Sequence, residues 1–503
     1  MNDIVNKVQE KMGSLTDLMK GIWDDSLIEY LVHTPTTKDA LMHLKYWAVN
    51  QANVLNFGRK LVSKVGLMGV KSILENNPWI LYLLKSDTLV RRLAKGKTGR
   101  YHESICVLGE ALHLGITELL EEMYFDPSRL VIIEDMLPPD LFQAMGLKVY
   151  NLESFGLFLP MLAPDSVLAY IDEAENAGVN PDSCSLPRAT IGMVKKGHLP
   201  KGLAIVTSNL PCDSGMSAYS YYRRAFNLPI YHLDVPFNFY DERAEDFFVK
   251  DLKDMIAFLE QHTPGRMDWD KFREMCINRN RMLEVELELW DMLRVRPAPL
   301  AGEAIWLSHF WHYVVTPGKE SSANYMKILA DLAAANLEEN TPATINENYR
   351  TLLWNAPFFQ FIDIFNWAEN NYGITILMDS LSYNHYEPID VSTPESMLKG
   401  WGRVVMQGPM VRHNRGPAEN YIDDLFRAYK QFDIDMVWVA NHVGCKSSQS
   451  LNGMMREQCR AKGIPLLMLD YDLIDPRIVS HDSMLRQVEH FMDNVMKAKK
   501  LGQ

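Results

Sequence analysis

The chain has 503 residues, is 47% apolar and 23% charged, and carries a formal net charge of −13. One hydrophobic core rarely serves so long a chain, so we expect about two to four domains in a globular protein. The acidic charge argues against nucleic acid as the main partner, because phosphate binding needs a cationic face. No apolar run approaches the ~20 residues that cross a bilayer, and the first residues lack signal-peptide features. We therefore expect a cytoplasmic protein without a membrane anchor.

Residues 1–125 are predicted to form a helical N-terminal region. Apolar residues recur at spacings of three and four in 14–23, 36–55 and 102–123, as they do on the buried face of a helix. Thr36 stands where a capping residue of the second helix is expected.

Residues 126–240 and 371–503 are predicted to form two α/β domains. Their short apolar runs, LVII, LAIVT and IYHLDV in the first and ITILMD, MVWVA and PLLMLD in the second, alternate with helical segments. Runs without polar alternation are typical of parallel strands covered by helices on both faces. Between them, residues 241–370 are predicted to be mainly helical, and a packed aromatic helix explains His309 and His312 of HFWHY better than a ligand pair. The predicted fold class is α/β, with two Rossmann-like or flavodoxin-like parallel sheets related by an internal repeat.

The two α/β segments share a repeat around a cysteine. In each, a cysteine, Cys212 or Cys445, lies five residues after the end of a predicted strand. An amphipathic helix follows each cysteine, and then a proline stands five residues before an aspartate, Asp234 or Asp470. Any two β-α-β units share part of this pattern, but not the offset of the cysteine. Because ligands bind at the carboxyl ends of strands in doubly wound sheets, we expect Cys212 and Cys445 to face one cleft.

A third cysteine, Cys184, lies directly before a predicted helix, where unpaired amides and the helix dipole favour a thiolate. The remaining cysteines, Cys106, Cys276 and Cys459, are interpreted as small hydrophobic side chains of the core. Three cysteines from separate loops, without histidines at zinc-finger spacing, suit an iron–sulfur cluster better than structural zinc. A [4Fe–4S] cluster with three protein ligands leaves one iron open to substrate or water.

Other polar residues near these cysteines have two interpretations each. His442 is a candidate catalytic residue that carries protons or donates a hydrogen bond beside the cluster. Its alternative interpretation is a purely structural role. Lys446, the second catalytic candidate, neutralises the cluster charge or points to solvent. Arg188, one turn after Cys184, is a candidate cofactor-binding residue that bonds to the cluster or neutralises its charge, or it points to solvent. Asp234 is a candidate cofactor-binding residue, or a cap at the end of a strand.

Several segments together resemble a known family. DSCSLPRATIG, LPCD, LDVPFN, RPAPLAG, YRTLLWNAPFF, GCKSS and DLIDPRIVSH occur in the order found in the catalytic subunits of the 2-hydroxyacyl-CoA dehydratase and benzoyl-CoA reductase family. The resemblance extends from about residue 131 to the C-terminus. It implies a [4Fe–4S] cluster held by Cys184, Cys212 and Cys445. It also implies a heterodimer with a smaller homologous cluster-bearing subunit, an ATP-dependent iron–sulfur activator that donates electrons, and an acyl-CoA thioester substrate.

The leading functional hypothesis is the large, alpha-type subunit of a radical (R)-2-hydroxyacyl-CoA dehydratase. Such an enzyme reduces the thioester by one electron to a ketyl radical, which then expels the 2-hydroxyl group. A subunit of an ATP-dependent benzoyl-CoA reductase is the alternative. A third hypothesis is a non-catalytic electron-transfer or scaffold subunit, because Glu134 and Asp135 stand where the family segment has a hydroxyl residue. The sequence does not identify the acyl group.

Overall fold

A computed structural model describes residues 26–83, 86–210, 212–237, 241–314, 318–383 and 387–502. Its strands β1 to β8 are Leu130–Ile133, Lys148–Asn151, Ile205–Ser208, Ile230–Leu233, Tyr349–Trp354, Ile374–Asp379, Met436–His442 and Leu466–Tyr471. Its α-helices α1 to α21, in chain order, are Ser26–Val32, Thr37–Asn76, Ile80–Leu83, Ser86–Ala94, Gly99–Phe125, Asp140–Ala144, Ser154–Leu162, Leu168–Asn176, Ser185–Lys195, Asp213–Phe226, Glu242–His262, Trp269–Leu293, Glu303–Trp306, His309–Tyr313, Glu320–Glu338, Asp363–Tyr372, Pro394–Gln407, Pro409–Asn414, Ala418–Gln431, Lys446–Lys462 and His481–Phe491. Short 3₁₀ turns at Pro127–Arg129 and Phe359–Phe361 and a π-helical turn at Met492–Met496 complete the assignment.

The N-terminal region is helical, as its apolar spacing predicts. Helix α2 is capped by Thr36, whose hydroxyl accepts a hydrogen bond from the backbone N–H of Asp39 at 3.1 Å. The same helix is interrupted at Gly66, whose φ of 71° is left-handed and thus suited to glycine. The helix predicted for residues 14–23 lies outside the described residues.

The two sheets have the same topology. Strand order is β2-β1-β3-β4 in the first and β6-β5-β7-β8 in the second, and the registers of both sheets are parallel. The fold class predicted from sequence is confirmed. Strand β5 lies inside 241–370, the stretch predicted to be mainly helical, and it pairs with both β6 and β7.

The repeat extends to side chains at the ends of the strands. The Asn209 side-chain amide donates to Asp234 across the end of the first sheet at 2.7 Å. The Asn441 amide donates to Asp470 at the matching place in the second sheet. Both aspartates therefore cap strand ends.

The first sheet is buried on both faces. Leu130 and Ile132 of β1 belong to a large core that also includes the N-terminal helices and the second sheet. Val131 and Ile133 point the other way, into a second core built with α11, α12 and α17. Side chains alternate between the two faces of a strand, so an unbroken apolar run is needed to fill both cores.

Ion pairs join the N-terminal helices to the second α/β unit. Arg92 of α4 pairs with Asp363 of α16 at 2.7 Å, and the Lys97 ammonium pairs with Glu369 of the same helix at 2.5 Å. The N-terminal helices are therefore packed against the body of the protein. None of the described helices has the length and apolar character that spanning a bilayer requires.

Candidate active site

The loops that follow the strands of both sheets enclose one cavity of about 450 Å³, within the ~300–1,000 Å³ usual for small-molecule sites. Its wall includes Asp135 after β1, Cys212 after β3, Asn355 after β5 and Cys445 after β7. Strands β1 and β3 are adjacent in the first sheet, and β5 and β7 are adjacent in the second. In each sheet the strand order reverses between these two strands. This is the position at which doubly wound sheets bind ligands.

Cys184, Cys212 and Cys445 all line this cavity. Each is the residue directly before a helix: Cys184 precedes α9, Cys212 precedes α10 and Cys445 precedes α20. The unpaired N–H groups of a first helical turn form the positive end of the helix dipole. Three such ends therefore meet at one cavity, which favours negatively charged sulfur there.

Burial works against that charge. It raises the pKa of Cys184 well above its ordinary value, and the nearby Cys212 sulfur raises it further. Burial also raises the pKa of Cys212 to about 12, while the backbone N–H of Gly215 acts in the opposite direction. These thiols therefore need a positive partner to be thiolates, and a bound metal centre is such a partner because it deprotonates its coordinating thiols.

The spacing of the sulfurs bears on the kind of metal centre. Among the described residues, the cavity cysteines are not a group whose ligand atoms all lie within 4.8 Å of one another. The ligands of a single tetrahedral ion are closer than that, about 3.8 Å for two sulfurs bound at ~2.3 Å. The cavity cysteines thus fit a multi-atom cluster better than one ion.

His442 ends β7 and contacts Cys184 across the cavity wall. The backbone N–H of Leu473 donates to Nδ1 of His442 at 3.1 Å. A neutral ring so bonded carries its proton on Nε2, and Nε2 lies 3.2 Å from the Cys184 sulfur. The side chain is buried, and burial lowers its pKa although the carboxylate of Asp472 opposes this. His442 is therefore a neutral N–H donor to sulfur.

Lys446 and Arg188 occupy different surroundings. Lys446 lines the cavity at its exposed rim, where its ammonium pairs with Asp182 at 2.9 Å. Arg188 is buried behind the wall and does not line the cavity; it forms ion pairs with Glu175 and, at 3.8 and 3.7 Å, with Asp472 and Asp475. Arg188 is linked to the cavity through Asp472, whose carboxylate lies 3.8 Å from Nδ1 of His442.

Asp234 is exposed at the end of β4 and is not among the residues that line the cavity. Besides its contact with Asn209, its backbone N–H donates to the Asp251 carboxylate of α11 at 2.8 Å. Both contacts belong to a capped strand end.

A pair of buried carboxyl groups lies at the first sheet's side of the cavity. Asp135 and Glu153 both line it. Burial, and after it the Asp135 carboxylate, raises the pKa of Glu153 well above its ordinary value. Glu134, next to Asp135, does not line the cavity. It accepts hydrogen bonds from the Met136 backbone and the Ser208 hydroxyl, and its carboxyl group also contacts that of Asp135. Two neighbouring carboxyls in a dry site share a proton more readily than they both ionise.

Asp379 and His309 face the cavity from the second half of the chain. Burial raises the pKa of Asp379 to about 8, against hydrogen bonds from the backbone N–H groups of Ser382 and Leu381. Burial lowers the pKa of His309 to about 3, so its ring is neutral. Near pH 7, Asp379 therefore holds a proton inside the cavity.

The protein family described as 2-hydroxyglutaryl-CoA dehydratase, D-component, matches residues 136–495 of this chain. The matched span contains both sheets except β1, and all three cavity cysteines. The chain belongs to this family. The family resemblance predicted from the sequence motifs is thus confirmed.

Three relatives are similar to this chain over long spans. The lactoyl-CoA dehydratase alpha subunit of Anaerotignum propionicum is 22% identical over 398 residues, 72% of this chain and 90% of the relative. The (R)-2-hydroxyglutaryl-CoA dehydratase alpha subunit of Acidaminococcus fermentans is 26% identical over 281 residues, 54% of this chain and 56% of the relative. One of the subunits of the benzoyl-CoA reductase of Thauera aromatica is 22% identical over 355 residues, 65% of this chain and 79% of the relative. The prediction of an enzyme of the dehydratase or benzoyl-CoA reductase type is confirmed.

Sequence reasoning did not single out Glu153, Asp379 or His309 as residues of this site. Asp379 is the last residue of strand β6. Asp234 and Asp470 of the repeat also stand at strand ends, so this position could have identified Asp379. Glu153 follows β2, a short strand without a clear apolar run. His309 was assigned to a packed helix, and it does lie in buried helix α14, but it also faces the cavity.

Proposed function

We propose that this chain is the cluster-bearing catalytic subunit of a radical (R)-2-hydroxyacyl-CoA dehydratase. The observation that carries the proposal is the convergence of Cys184, Cys212 and Cys445, each at a helix N-terminus, on one cavity that also holds proton-bearing carboxyl groups. The similarity to two dehydratase alpha subunits supports the same reaction class.

A [4Fe–4S] cluster fits the residues present. The donors are three thiols spaced too widely for one ion, and the N-termini of three helices favour the negative charge that bound thiolates carry. When bound, such a cluster supplies a low-potential electron for one-electron reduction of the thioester to a ketyl radical, and a Lewis-acidic iron to accept the 2-hydroxyl group.

His442 is proposed to act on the cluster ligand. Its Nε2–H points at the Cys184 sulfur, and hydrogen bonds to cluster sulfurs are one of the means by which a protein sets cluster potential. Arg188 pairs with Asp472 behind the cavity wall, and Asp472 lies beside the His442 ring. Arg188 is therefore proposed as a positioning residue. Lys446 is proposed to contribute its charge at the cavity rim, where its amine is exposed.

Proton movement is proposed to use the carboxyl groups of the cavity. Removal of a β-hydrogen as a proton requires an acceptor next to the substrate. Glu153, whose pKa is raised by burial and by the Asp135 carboxylate, is proposed to exchange a proton with the substrate. Asp379 holds a second proton near neutral pH on the opposite wall. Asp135, one of the two acidic residues that stand where the family segment has a hydroxyl, is proposed to take the place of that hydroxyl in the cavity.

The partners follow from the same proposal. We expect a smaller homologous cluster-bearing subunit, in keeping with the alpha-subunit relatives. We also expect an ATP-dependent iron–sulfur activator as electron donor, and an acyl-CoA thioester as substrate. A cytoplasmic location remains our expectation for this set of oxygen-sensitive components.

Reduction of benzoyl-CoA is a second candidate function. The similarity to a benzoyl-CoA reductase subunit favours it, as does the apolar part of the cavity wall. That wall includes Leu157, Leu186, Leu307, Phe310, Phe359 and Leu473. Such a surface accepts a flat aromatic ring as readily as an alkyl chain.

Turnover by the anaerobically purified heterodimer tests the proposal. A low-potential chemical reductant would replace the activator, and (R)-2-hydroxyacyl-CoA and benzoyl-CoA would be offered separately. We expect the hydroxyacyl thioester to lose water and form a 2-enoyl-CoA. Cys212→Ser should abolish turnover, whereas Cys459→Ser, at a buried cysteine outside the cavity, should retain it. Consumption of benzoyl-CoA instead would favour the reductase, and failure to bind either thioester would favour a scaffold.

A further inference from the structure

A second group of metal-ligand side chains lies in the N-terminal helices. His43 of α2 and His102 and Cys106 of α5 are buried, and one ring nitrogen of each histidine and the Cys106 sulfur lie within 4.8 Å of one another. His102 and Cys106 are four residues apart and therefore share a helix face. These residues precede the family-matched span at 136–495, so the proposed dehydratase chemistry does not account for them.

The distances suit a tetrahedral ion. Nδ1 of His43 lies 3.8 Å from the Cys106 sulfur. Two ligands of one tetrahedral zinc, at ~2.3 Å for sulfur and ~2.1 Å for nitrogen, are about 3.6 Å apart. The rings of His43 and His102 meet edge to face with their centroids 5.6 Å apart, so neither blocks the other from a shared centre.

The second nitrogen of each histidine already faces an acceptor. Nε2 of His43 lies 3.4 Å from the Asp87 carboxylate, without the angles of a hydrogen bond, and the other carboxylate oxygen pairs with Arg91 at 2.9 Å. Nδ1 of His102 lies 3.3 Å from the Lys97 backbone carbonyl. Metal-binding histidines typically donate their outer N–H to a carboxylate or a carbonyl, which orients the ring and fixes its tautomer.

One ring nitrogen of His102, Nε2, lacks a hydrogen-bond partner in the described part of the chain. The side chain is 0% exposed, and its Nε2 has no hydrogen-bond partner among the described residues. A buried polar atom without a partner costs about 1–3 kcal/mol, and a bound ion or water at that atom would remove the cost. A metal ion between His102, His43 and Cys106 would be that ligand.

We propose that His43, His102 and Cys106 bind a zinc ion that joins α2 to α5, with Asp87 orienting His43. One thiolate and two imidazoles are zinc ligands, whereas Mg²⁺ and Ca²⁺ require oxygen. Cys106 was interpreted from sequence as a core side chain; it is buried, and the proposal gives it a ligand role as well. The site depends on neither the cavity cysteines nor the function proposed for them.

Metal analysis of the full chain tests this site independently of iron. Protein purified anaerobically without chelators should hold a single zinc ion per chain besides iron. His102→Gln and Cys106→Ser should lose zinc and keep iron, whereas Cys184→Ser should lose iron and keep zinc. His113→Gln is the matched control, because His113 is buried on the same helix α5 outside the ligand group, and it should keep zinc.

Asp87→Asn should weaken zinc retention in a chelator competition by about 10–100-fold, the usual effect of removing a residue that orients a ligand. X-ray absorption at the zinc edge on unmodified protein covers the case in which a ligand variant does not fold. We expect one sulfur at ~2.3 Å and two imidazole nitrogens at ~2.0–2.1 Å. Zinc absent from the wild type, zinc lost equally from His113→Gln, or a first shell without sulfur would overturn the proposal.

Discussion

Gly444 lies where the two halves of the cavity pack against each other. A Cβ atom added there would lie 2.9 Å from the Cys184 Cα and 2.9 Å from Cε1 of His442. The first of these is a backbone atom at the start of α9 and cannot rotate away. Gly444→Ala should therefore push Cys184 and the loop bearing Cys445 apart, and turn the His442 ring from the Cys184 sulfur.

Gly444→Ala should have only a small effect on the melting temperature of the protein. Overpacking by one methyl group typically costs about 1–3 kcal/mol. At about 2.1 cal/mol/K per residue, unfolding 503 residues has an entropy of roughly 1 kcal/mol/K. Gly444→Ala should thus lower the melting temperature by only about 1–3 °C. Its effect on iron content should be much larger, because three ligands must keep their relative positions.

Gly453→Ala is the matched control for this experiment. Gly453 lies in α20, which starts next to Cys445, and a Cβ there would meet nothing within 4 Å. Alanine at an exposed helix position is worth about 0.5–1 kcal/mol over glycine, so this variant should melt at the same or a slightly higher temperature and keep its iron. Iron content and melting temperature should be measured together on both anaerobic proteins. Wild-type iron in Gly444→Ala would refute the placement of Cys184 beside Gly444.

Three further substitutions test carboxyl groups with shifted pKa values. If Asp379, with its pKa raised by burial to about 8, donates a proton, wild-type turnover should fall above pH 8, and Asp379→Asn should lose about 10²–10⁴-fold in rate together with that pH limb. Burial raises the pKa of Glu303 from 4.5 to about 7. The folded chain therefore retains a proton that the unfolded chain releases, and wild-type stability falls by roughly 3 kcal/mol between those pH values. Glu303→Gln should remove this loss in urea titrations at pH 5 and pH 8, and an unchanged difference would contradict it. Burial opposes ionisation of Asp363, but His481 and Arg92 lower its pKa to about 2. The contribution of ionised Asp363 to the stability of the fold is therefore present above pH 4 and lost as the pH falls towards 2. His481→Gln should therefore move acid unfolding, followed by circular dichroism, to higher pH.

The sequence predicted those features that local pattern determines. Short apolar runs predicted β1, β3, β4, β6, β7 and β8, and helical spacing predicted α2 and α5. The equal offset of Cys212 and Cys445 predicted matching positions in two sheets. The structure places both cysteines on one cavity wall because the sheets share a topology and the loops after equivalent strands converge.

Strand β5 was missed for a physical reason. Its second residue, Arg350, is a charged side chain in a central strand, which breaks the apolar pattern. The structure buries this guanidinium completely, where it pairs with Glu347 at 2.7 Å and donates to the Phe432 carbonyl at 3.0 Å. Glu347 is only three residues away, but the Phe432 carbonyl is 82 residues away, and a local pattern does not reveal such a partner.

The same limit applied to side chains that meet only in the fold. His43 and Cys106 are separated by 63 residues, and His442 and Cys184 by 258. Spacing along the chain carries no signal for either contact. The HxxxC spacing of His102 and Cys106 was visible, but a pair at one helical turn is common in packed helices and is informative only with His43 beside it.

Anomalous diffraction at the iron absorption edge, from crystals grown without oxygen, tests the central claim most directly. We expect one strong iron peak in the cavity, within bonding distance of the sulfurs of Cys184, Cys212 and Cys445. An empty cavity, or iron bound instead between His43, His102 and Cys106, would contradict the assignment of this cavity as the catalytic centre.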